Sequence, residues 1–188
     1  MDQPIILLDL NYTLVENVHP MHFRYGPTVN TETYRGWLID LIRDHYVIML
    51  TTRGKEYQDA TLARIGDHHR WLPQEAYFKL PACSWWPAHE WKRMVMLTFI
   101  LPQYGWEASQ YLALESNRYS RAVFRLLGVH AQRVPSKEDE RIWTKLPVVR
   151  RDGIARKVAG PNGYHEGIDY WRKMLQGEVM EAREFDND

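Results

Sequence analysis

The sequence predicts an α/β fold built on a doubly wound, mostly parallel sheet, and three observations carry that expectation. Short apolar runs flanked by turn residues recur at residues 5–8, 47–50, 111–114 and 129–134. The first three are continuous rather than alternating, which is the pattern of parallel strands buried on both faces. Segments of helical period lie between the runs, so strands and helices alternate along the chain. With 188 residues and 45% hydrophobic content, the chain suits one sizeable core and is short for two ordinary domains.

Each element has its own signal. Residues 31–45 place Tyr34, Trp37, Leu38, Leu41 and Ile42 on one helical face, and residues 56–65 do so with Tyr57, Ala60, Thr61 and Ile65. Residues 89–101 repeat the pattern with Trp91, Val95, Leu97, Thr98 and Leu101. Residues 118–127 form a further helix that stops at Gly128, a residue suited to a left-handed helix end. After Val134 the pattern changes. Residues 135–140 read as a polar linker, residues 148–158 as a hairpin around Asp152-Gly153, and residues 168–182 as a terminal helix. The expected division is a core over 1–134 and an extension over 135–188 packed on it.

Composition limits the partners. The chain has 24 Lys+Arg against 24 Asp+Glu, so it has no global basic field to hold long nucleic acid, and any such contact must be local. Basic charge is concentrated in the hairpin, where Arg150, Arg151, Arg156 and Lys157 form either a local binding surface or a solvated face. The single cysteine, Cys83, excludes an intramolecular disulfide and a thiolate metal cluster and fits a reducing compartment. The first residues, Met-Asp-Gln-Pro, lack the basic start and long apolar run of a signal peptide. No window approaches the ~18 apolar residues that a membrane span requires. A soluble, cytoplasmic protein with no membrane partner is expected, and the oligomeric state is left open.

Ligands of an open parallel sheet gather beyond the carboxyl ends of its strands, so the polar residues after each apolar run are the candidates for chemistry. Strand one leads into Asp9-Leu10-Asn11-Tyr12-Thr13, strand two into Thr51-Thr52-Arg53-Gly54, and the late strand into Glu115-Ser116-Asn117. Lys92 stands near the start of the helix expected over residues 89–101. Taken singly, Asp9 could be a turn or helix-capping residue, Lys92 a solvated helix lysine and Lys79 a surface position.

Together, and in this order over residues 5–134, these segments resemble the four motifs of the haloacid dehalogenase (HAD) superfamily. Its first motif is an apolar strand followed by Asp-x-Asp-x-Thr, here Asp9-Leu10-Asn11-Tyr12-Thr13 with Asn11 at the second acid. The other three are a strand ending in Thr or Ser (Thr51), a lysine opening a helix (Lys92) and a strand ending in one or two acids (Glu115). The closest likeness within the superfamily is to the phosphatase domain of polynucleotide kinase-phosphatases and related phage and bacterial nucleotide phosphatases. Thr51, Arg53, Thr61, Lys79 and Lys92 follow the succession of features found there.

The resemblance implies a Rossmann-like, HAD-like sheet and a Mg²⁺-dependent phosphohydrolase acting on a phosphorylated nucleotide or nucleic-acid end. Asp9 would attack phosphorus to give an aspartyl-phosphate, splitting one hard hydrolysis into two easier steps. Mg²⁺ would be held by the Asp9 carboxylate, the Asn11 backbone carbonyl and Glu115. Thr51 and Lys92 would bind the transferring phosphoryl oxygens, with Thr13, Thr52, Arg53 and Lys79 contacting the rest of the substrate; Arg150 and Arg151 are further substrate-binding candidates from the basic charge of the hairpin. Specificity caps in this superfamily are usually inserted between the first two motifs, and the stretch from Thr13 to Val47 is too short for a full one. The site is therefore expected to be open.

Two departures from the family pattern bear on activity. Asn11 lacks the carboxyl that protonates the leaving group, a contribution of about 10²- to 10⁴-fold, and Glu115 stands for an Asp. Slow catalysis, an acidic leaving group such as a phosphoanhydride, or a catalytically impaired domain that binds a phosphorylated ligand or partner would each accommodate Asn11. A cap-poor protein phosphatase is a further alternative.

Overall fold

Five strands form one sheet: β1 (Ile5–Leu8), β2 (Val47–Gly54), β3 (Glu75–Lys79), β4 (Tyr111–Leu114) and β5 (His130–Gln132). Their order is β3-β2-β1-β4-β5, and every neighbouring pair is parallel. The structure, a computed structural model, describes residues 3–17, 29–135, 143–147 and 149. From β1 the chain moves outward to β2 and β3, then crosses back to β4 and β5. This reversal makes a switch point between β1 and β4, where a crevice opens at the carboxyl ends of the strands.

Alternating side chains on the strands feed two separate cores. Leu7, Ile48, Leu50, Ala113 and Ala131 face one side and pack with Trp91, Val95 and Phe124. These partners come from α3 (Ala88–Val95) and α5 (Arg118–Leu126). Ile6, Leu8, Val47, Met49, Leu112 and Leu114 face the other side and pack with Leu38, Ile39, Ile42 and Ile65, from α1 (Gly36–Ile42) and α2 (Gln58–His69). Helices thus cover both faces, as the continuous apolar strands require. Each fully buried aliphatic side chain contributes about 1.5–3 kcal/mol. This Rossmann-like, doubly wound arrangement is the architecture expected from the sequence.

Several boundaries differ from the sequence expectation, each for a local reason. The helix expected over 31–45 spans only Gly36–Ile42. The residues before it pair with the turn after β1 instead, with Glu16 N–H donating to Thr33 O (2.9 Å) and Arg35 N–H to Leu14 O (2.9 Å). Backbone groups engaged in that pairing are lost to a helix. In α2, Thr61 and Ile65 are buried as expected, whereas Ala60 is exposed. The helix expected over 89–101 is interrupted by a π-helical turn, Met96–Ile100, before α4 (Leu101–Tyr104). Pro102 has no N–H to continue the regular ladder there. β2 runs on to Gly54, carrying Thr51, Thr52 and Arg53 within the strand rather than in a turn after it.

Between β1 and β2 the described residues hold a turn, one 3-10 turn (Val29–Thr31) and α1, with no inserted cap among them. Of the extension, Trp143, Leu146 and Val149 pack against the core on the α1 and α2 side, with the Trp143 ring edge-on to Trp37 at 6.1 Å. The rest of the expected hairpin, with Arg150 and Arg151, and the terminal helix lie outside the described residues. No helix among the described residues is long and apolar enough to cross a membrane.

The end of α5 offers a direct test of the fold. Gly128 adopts φ +81°, and a Cβ there would lie 3.0 Å from the Ala108 Cβ. Gly128→Ala is expected to cost about 1–2 kcal/mol from the left-handed conformation alone, read as a lower urea midpoint with an unchanged slope. An unchanged midpoint would contradict this placement.

Candidate active site

The switch point collects three charged side chains from three elements. Asp9 follows β1, and its own N–H donates to Leu114 O (2.9 Å), which extends the β1–β4 ladder by one bond. Glu115 follows β4, and its Oε1 accepts from Asn117 N–H (2.8 Å). Lys92 lies on α3, one residue after Trp91, whose indole Nε1–H donates to Thr51 O (3.0 Å) and docks the helix on the tip of β2. The result is a buried ammonium shared by two carboxylates: Lys92 Nζ lies 2.6 Å from Asp9 Oδ1 and 2.5 Å from Glu115 Oε2. The Lys92 side chain is 2% exposed, and those of Asp9 and Glu115 are 7% and 1%.

The other Asp9 oxygen is also fixed. Oδ2 accepts from Thr13 Oγ1 (2.8 Å) and Ser116 Oγ (3.2 Å), while Thr13 Oγ1 accepts from Ser116 N–H (2.9 Å). Ser116 Oγ also lies 3.1 Å from the Asn11 backbone carbonyl, a second acceptor for it. The turn that presents these groups is strained. Tyr12 has φ +60° and is 44% exposed, a conformation rare for a bulky residue that costs about 1–3 kcal/mol and clusters at functional sites. The buried guanidinium of Arg35 holds it, donating to the carbonyls of Tyr12 (2.9 Å) and Thr13.

Beside this triad lies a second buried ionic cluster. Arg53 pairs with Glu32, with Nη2 2.6 Å from Oε1 and Nη1 2.9 Å from Oε2. It also donates to Thr61 Oγ1 (2.9 Å) and Asn11 Oδ1 (2.8 Å). Its four terminal N–H groups are therefore all committed within the protein, and the remaining Nε is buried without a partner. The sequence reading placed Arg53 against substrate; the structure turns it inward as a brace for Asn11. Lys79 likewise does not lie on the surface. It is buried, and it donates to the carbonyls of Ser84 (2.9 Å) and Trp86 (2.5 Å), pinning the loop before α3.

Of the residues singled out in the sequence, the structure brings together Asp9, Asn11, Thr13, Lys92 and Glu115. Thr51 is buried next to them, its Oγ1 accepting from Arg53 N–H (3.1 Å), and Thr52 is half-buried. Arg150 and Arg151 lie outside the described residues. Glu32 and Arg35 went unnoticed in the sequence. Both sit in the stretch read as the start of a helix, where an acid is ordinary, and neither follows an apolar strand. Ser116, Asn117 and Arg121 complete the β4 side. Asn117 caps α5 by accepting from the N–H groups of Tyr119 and Ser120, and Arg121 donates to the carbonyls of Glu115 and Ser116.

Burial pushes the Glu115 carboxyl up to about 7, helped by the charge of Asp9 and only partly opposed by Lys92 and the Asn117 N–H. Desolvation pulls Lys92 down, but the two carboxylates outweigh it and its pKa is raised. With both carboxylates ionised, two of them against one ammonium leave one net negative charge in the crevice. Its donors are hard oxygens: two carboxylates and the Asn11 carbonyl. No cluster of three or more His, Cys, Asp or Glu exists among the described residues. Mg²⁺ needs only one or two carboxylates besides water and substrate oxygens, so the donor set and its charge fit that ion.

No family model matches the chain, and no curated protein sequence matches it. A chain in the structure of the Pnkp1/Rnl/Hen1 RNA repair complex superimposes with a TM-score of 0.54 at 13% identity, over 73% of this chain and 44% of that one. At that identity the likeness establishes a shared fold. This chain matches less than half of the other's length.

The raised Glu115 pKa predicts a pH dependence of stability. The ordinary value is 4.5 and the folded value about 7, so between them the folded state retains a proton that the unfolded chain has released. The resulting stabilisation is full below the unfolded pKa and is lost as pH rises through the folded one. In metal-free buffer, the stability of the wild type relative to Glu115→Gln is expected to fall across this window. A difference that stays flat in urea unfolding would contradict the coupling.

Proposed function

We propose that this chain is a Mg²⁺-dependent phosphohydrolase that works through an aspartyl-phosphate on Asp9, acting on the terminal phosphate of a nucleotide or nucleic-acid end. The observation that carries the reading is the buried Lys92 ammonium between Asp9 and Glu115 at the switch point. The motif resemblance to the HAD superfamily supports the chemistry. The shared fold with a chain of an RNA repair complex supports nucleic-acid end processing as its setting.

Thr13 and Ser116 hold Oδ2 of Asp9, so the carboxylate presents Oδ1 in a fixed direction. Attack forms a bond from Asp9 oxygen to phosphorus and breaks the bond from phosphorus to the leaving oxygen. Water then attacks the same phosphorus, inorganic phosphate departs and the carboxylate is restored. Lys92 exchanges a carboxylate contact for a phosphoryl oxygen. The Thr51 hydroxyl, whose oxygen already accepts from Arg53 N–H, has its hydrogen to donate. Mg²⁺, held by Asp9, Glu115 and the Asn11 carbonyl, would offset the charge of the phosphoryl group.

A second reading, a domain that binds a phosphorylated ligand without turning it over, draws on Asn11, which cannot carry a proton as an acid would. The test for both is phosphate release by the full chain with Mg²⁺ from nucleotides, 3′- and 5′-phosphorylated oligonucleotides and phosphopeptides. Turnover of at least one nucleotide or nucleic-acid substrate of this set is expected, lost on chelation and regained with Mg²⁺. Asp9→Asn should abolish it while the variant still unfolds in a single cooperative urea transition, because Lys92 keeps Glu115 as its partner. Near wild-type turnover by Asp9→Asn would rule out the mechanism. Binding without turnover by the wild type would favour the second reading, and turnover confined to phosphopeptides would mark a protein phosphatase.

A further inference from the structure

We propose that Asn11 is a fixed hydrogen-bond donor, locked by Arg53, and that the site is built for phosphoryl groups whose leaving group departs unprotonated: phosphoanhydrides in preference to alkyl phosphomonoesters. This inference rests on the proposed attack by Asp9 and names the class of substrate it takes.

The lock is visible in the contacts. Arg53 Nη2–H donates to Asn11 Oδ1 at 2.8 Å. A carboxamide is planar, with oxygen and NH₂ on opposite arms, so holding the oxygen toward Arg53 turns the two Nδ2–H donors away from it. Arg53 has no freedom to let go. Its other terminal donors are taken by both oxygens of Glu32 and by Thr61, and the two charged side chains are 1% and 5% exposed. Glu32 is held in turn by the Tyr34 hydroxyl (3.2 Å), and its backbone carbonyl accepts two bonds from Arg64. Position 11 is thus braced through Arg53 to α2 and to the segment before α1.

The side chains that touch the Asp9 carboxylate are Thr13, Ser116 and Lys92. None of these three is a carboxylic acid or an imidazole, and both oxygens of Glu115, beyond Lys92, are engaged as acceptors from Lys92 and the Asn117 N–H. An alkoxide is a strong base and leaves slowly without a proton, so a site with no general acid beside Asp9 among the described residues forgoes a contribution of about 10²- to 10⁴-fold on alkyl monoesters. A phosphate anion is a weak base and needs no proton. When Asp9 attacks the terminal phosphorus of a diphosphate, the bridging P–O bond breaks and its electron pair stays on the departing phosphate, whose charge an amide N–H can stabilise without giving up its hydrogen. In the second step water supplies the oxygen and the proton, and Asp9 leaves as a carboxylate. The balance needs no further reactant.

The same geometry limits what an acid at this position could do. Asn11→Asp would set a carboxylate against the Arg53 donor, and a hydrogen bond to the charged form favours ionisation, which withholds the proton.

The test compares a nucleoside 5′-diphosphate with the same nucleoside 5′-monophosphate, and adds aryl phosphates graded in leaving-group acidity. Phosphate release is followed alongside the phosphorylated Asp9 peptide in acid-quenched protein. Expected are a phosphorylated Asp9, a preference of about 100-fold or more for the diphosphate, and a steep dependence on leaving-group acidity. Asn11→Asp should gain less than about tenfold on the monophosphate. Arg53→Lys keeps the charge beside Glu32 but loses the fork. It should lower kcat on the diphosphate about tenfold with KM within about twofold, and Asn11→Ala should do the same if Arg53→Lys fails to fold. Comparable rates on the two nucleotides with phosphorylated Asp9 present would overturn this inference and leave the Asp9 mechanism standing. So would a large gain from Asn11→Asp, or an unchanged kcat in the folded position-53 or position-11 variant. Absence of both the phosphorylated peptide and any turnover would overturn the Asp9 mechanism, and this inference with it.

Discussion

The rest of the site depends on the burial of one ammonium between two carboxylates. Desolvating three charges is expensive, and only close mutual contact offsets it; removing one partner of such a set costs about 3–5 kcal/mol. Lys92, Asp9 and Glu115 meet at 2.5 and 2.6 Å, which fixes the end of β1, the end of β4 and the roll of α3 relative to one another. Trp91 reinforces the arrangement, because its bond to Thr51 O sets the helix on β2. A small shift of α3 would separate charges that are buried away from the surface.

The Arg53–Glu32 pair obeys the same constraint with a different outcome. Here one cation meets one carboxylate, so the cluster is neutral, and Thr61 and Asn11 satisfy the donors left over. Neutral, and with every terminal N–H of Arg53 engaged, it is suited to holding neighbours in place. The net negative charge stays in the Lys92 cluster, where a divalent cation or the rearrangement of Lys92 toward an incoming anion has something to act on. Asn11 joins the two clusters: its side-chain oxygen belongs to the Arg53 network and its backbone carbonyl is bonded by Ser116. The strained Tyr12 between Asn11 and Thr13 is a consequence of making one short turn serve both.

How much of this was legible in the sequence follows from which interactions are local. Strands buried on both faces write themselves as continuous apolar runs, so β1, β2 and β4 and the polar residues that follow them could be read directly. Asp9, Thr51 and Glu115 were found for that reason. Lys92 was found through motif order. β3 was harder, because Glu75-Ala76-Tyr77-Phe78-Lys79 is short and flanked by charge. Glu32 and Arg35 were illegible: their partners lie far along the chain, and nothing in the local pattern separates a buried ion pair from a solvated helix start. The same non-local pairing shortened α1, since the turn after β1 took the backbone groups that helical periodicity had assigned to it. Lys79 and Arg53 were found as residues but not as roles, because a sequence shows a charge and not the carbonyls or carboxylates that consume it.

The contrast between Lys92 and Arg53 bears on how the proposed reaction handles charge. An ammonium on a flexible stem can swing between acceptors and give up a carboxylate contact when a phosphoryl oxygen offers a better one. A guanidinium with every terminal donor occupied can turn toward an anion only by breaking several buried hydrogen bonds at once. Of Lys92 and Arg53, only Lys92 can follow charge as it moves from substrate to aspartyl-phosphate in the proposed reaction, and it can do so only while Glu115 holds its other side. A phosphoryl group bringing two negative charges to a crevice already carrying one would be repelled by the protein alone. In the proposed reaction, Mg²⁺ held beside Asp9 and Glu115 would offset that repulsion.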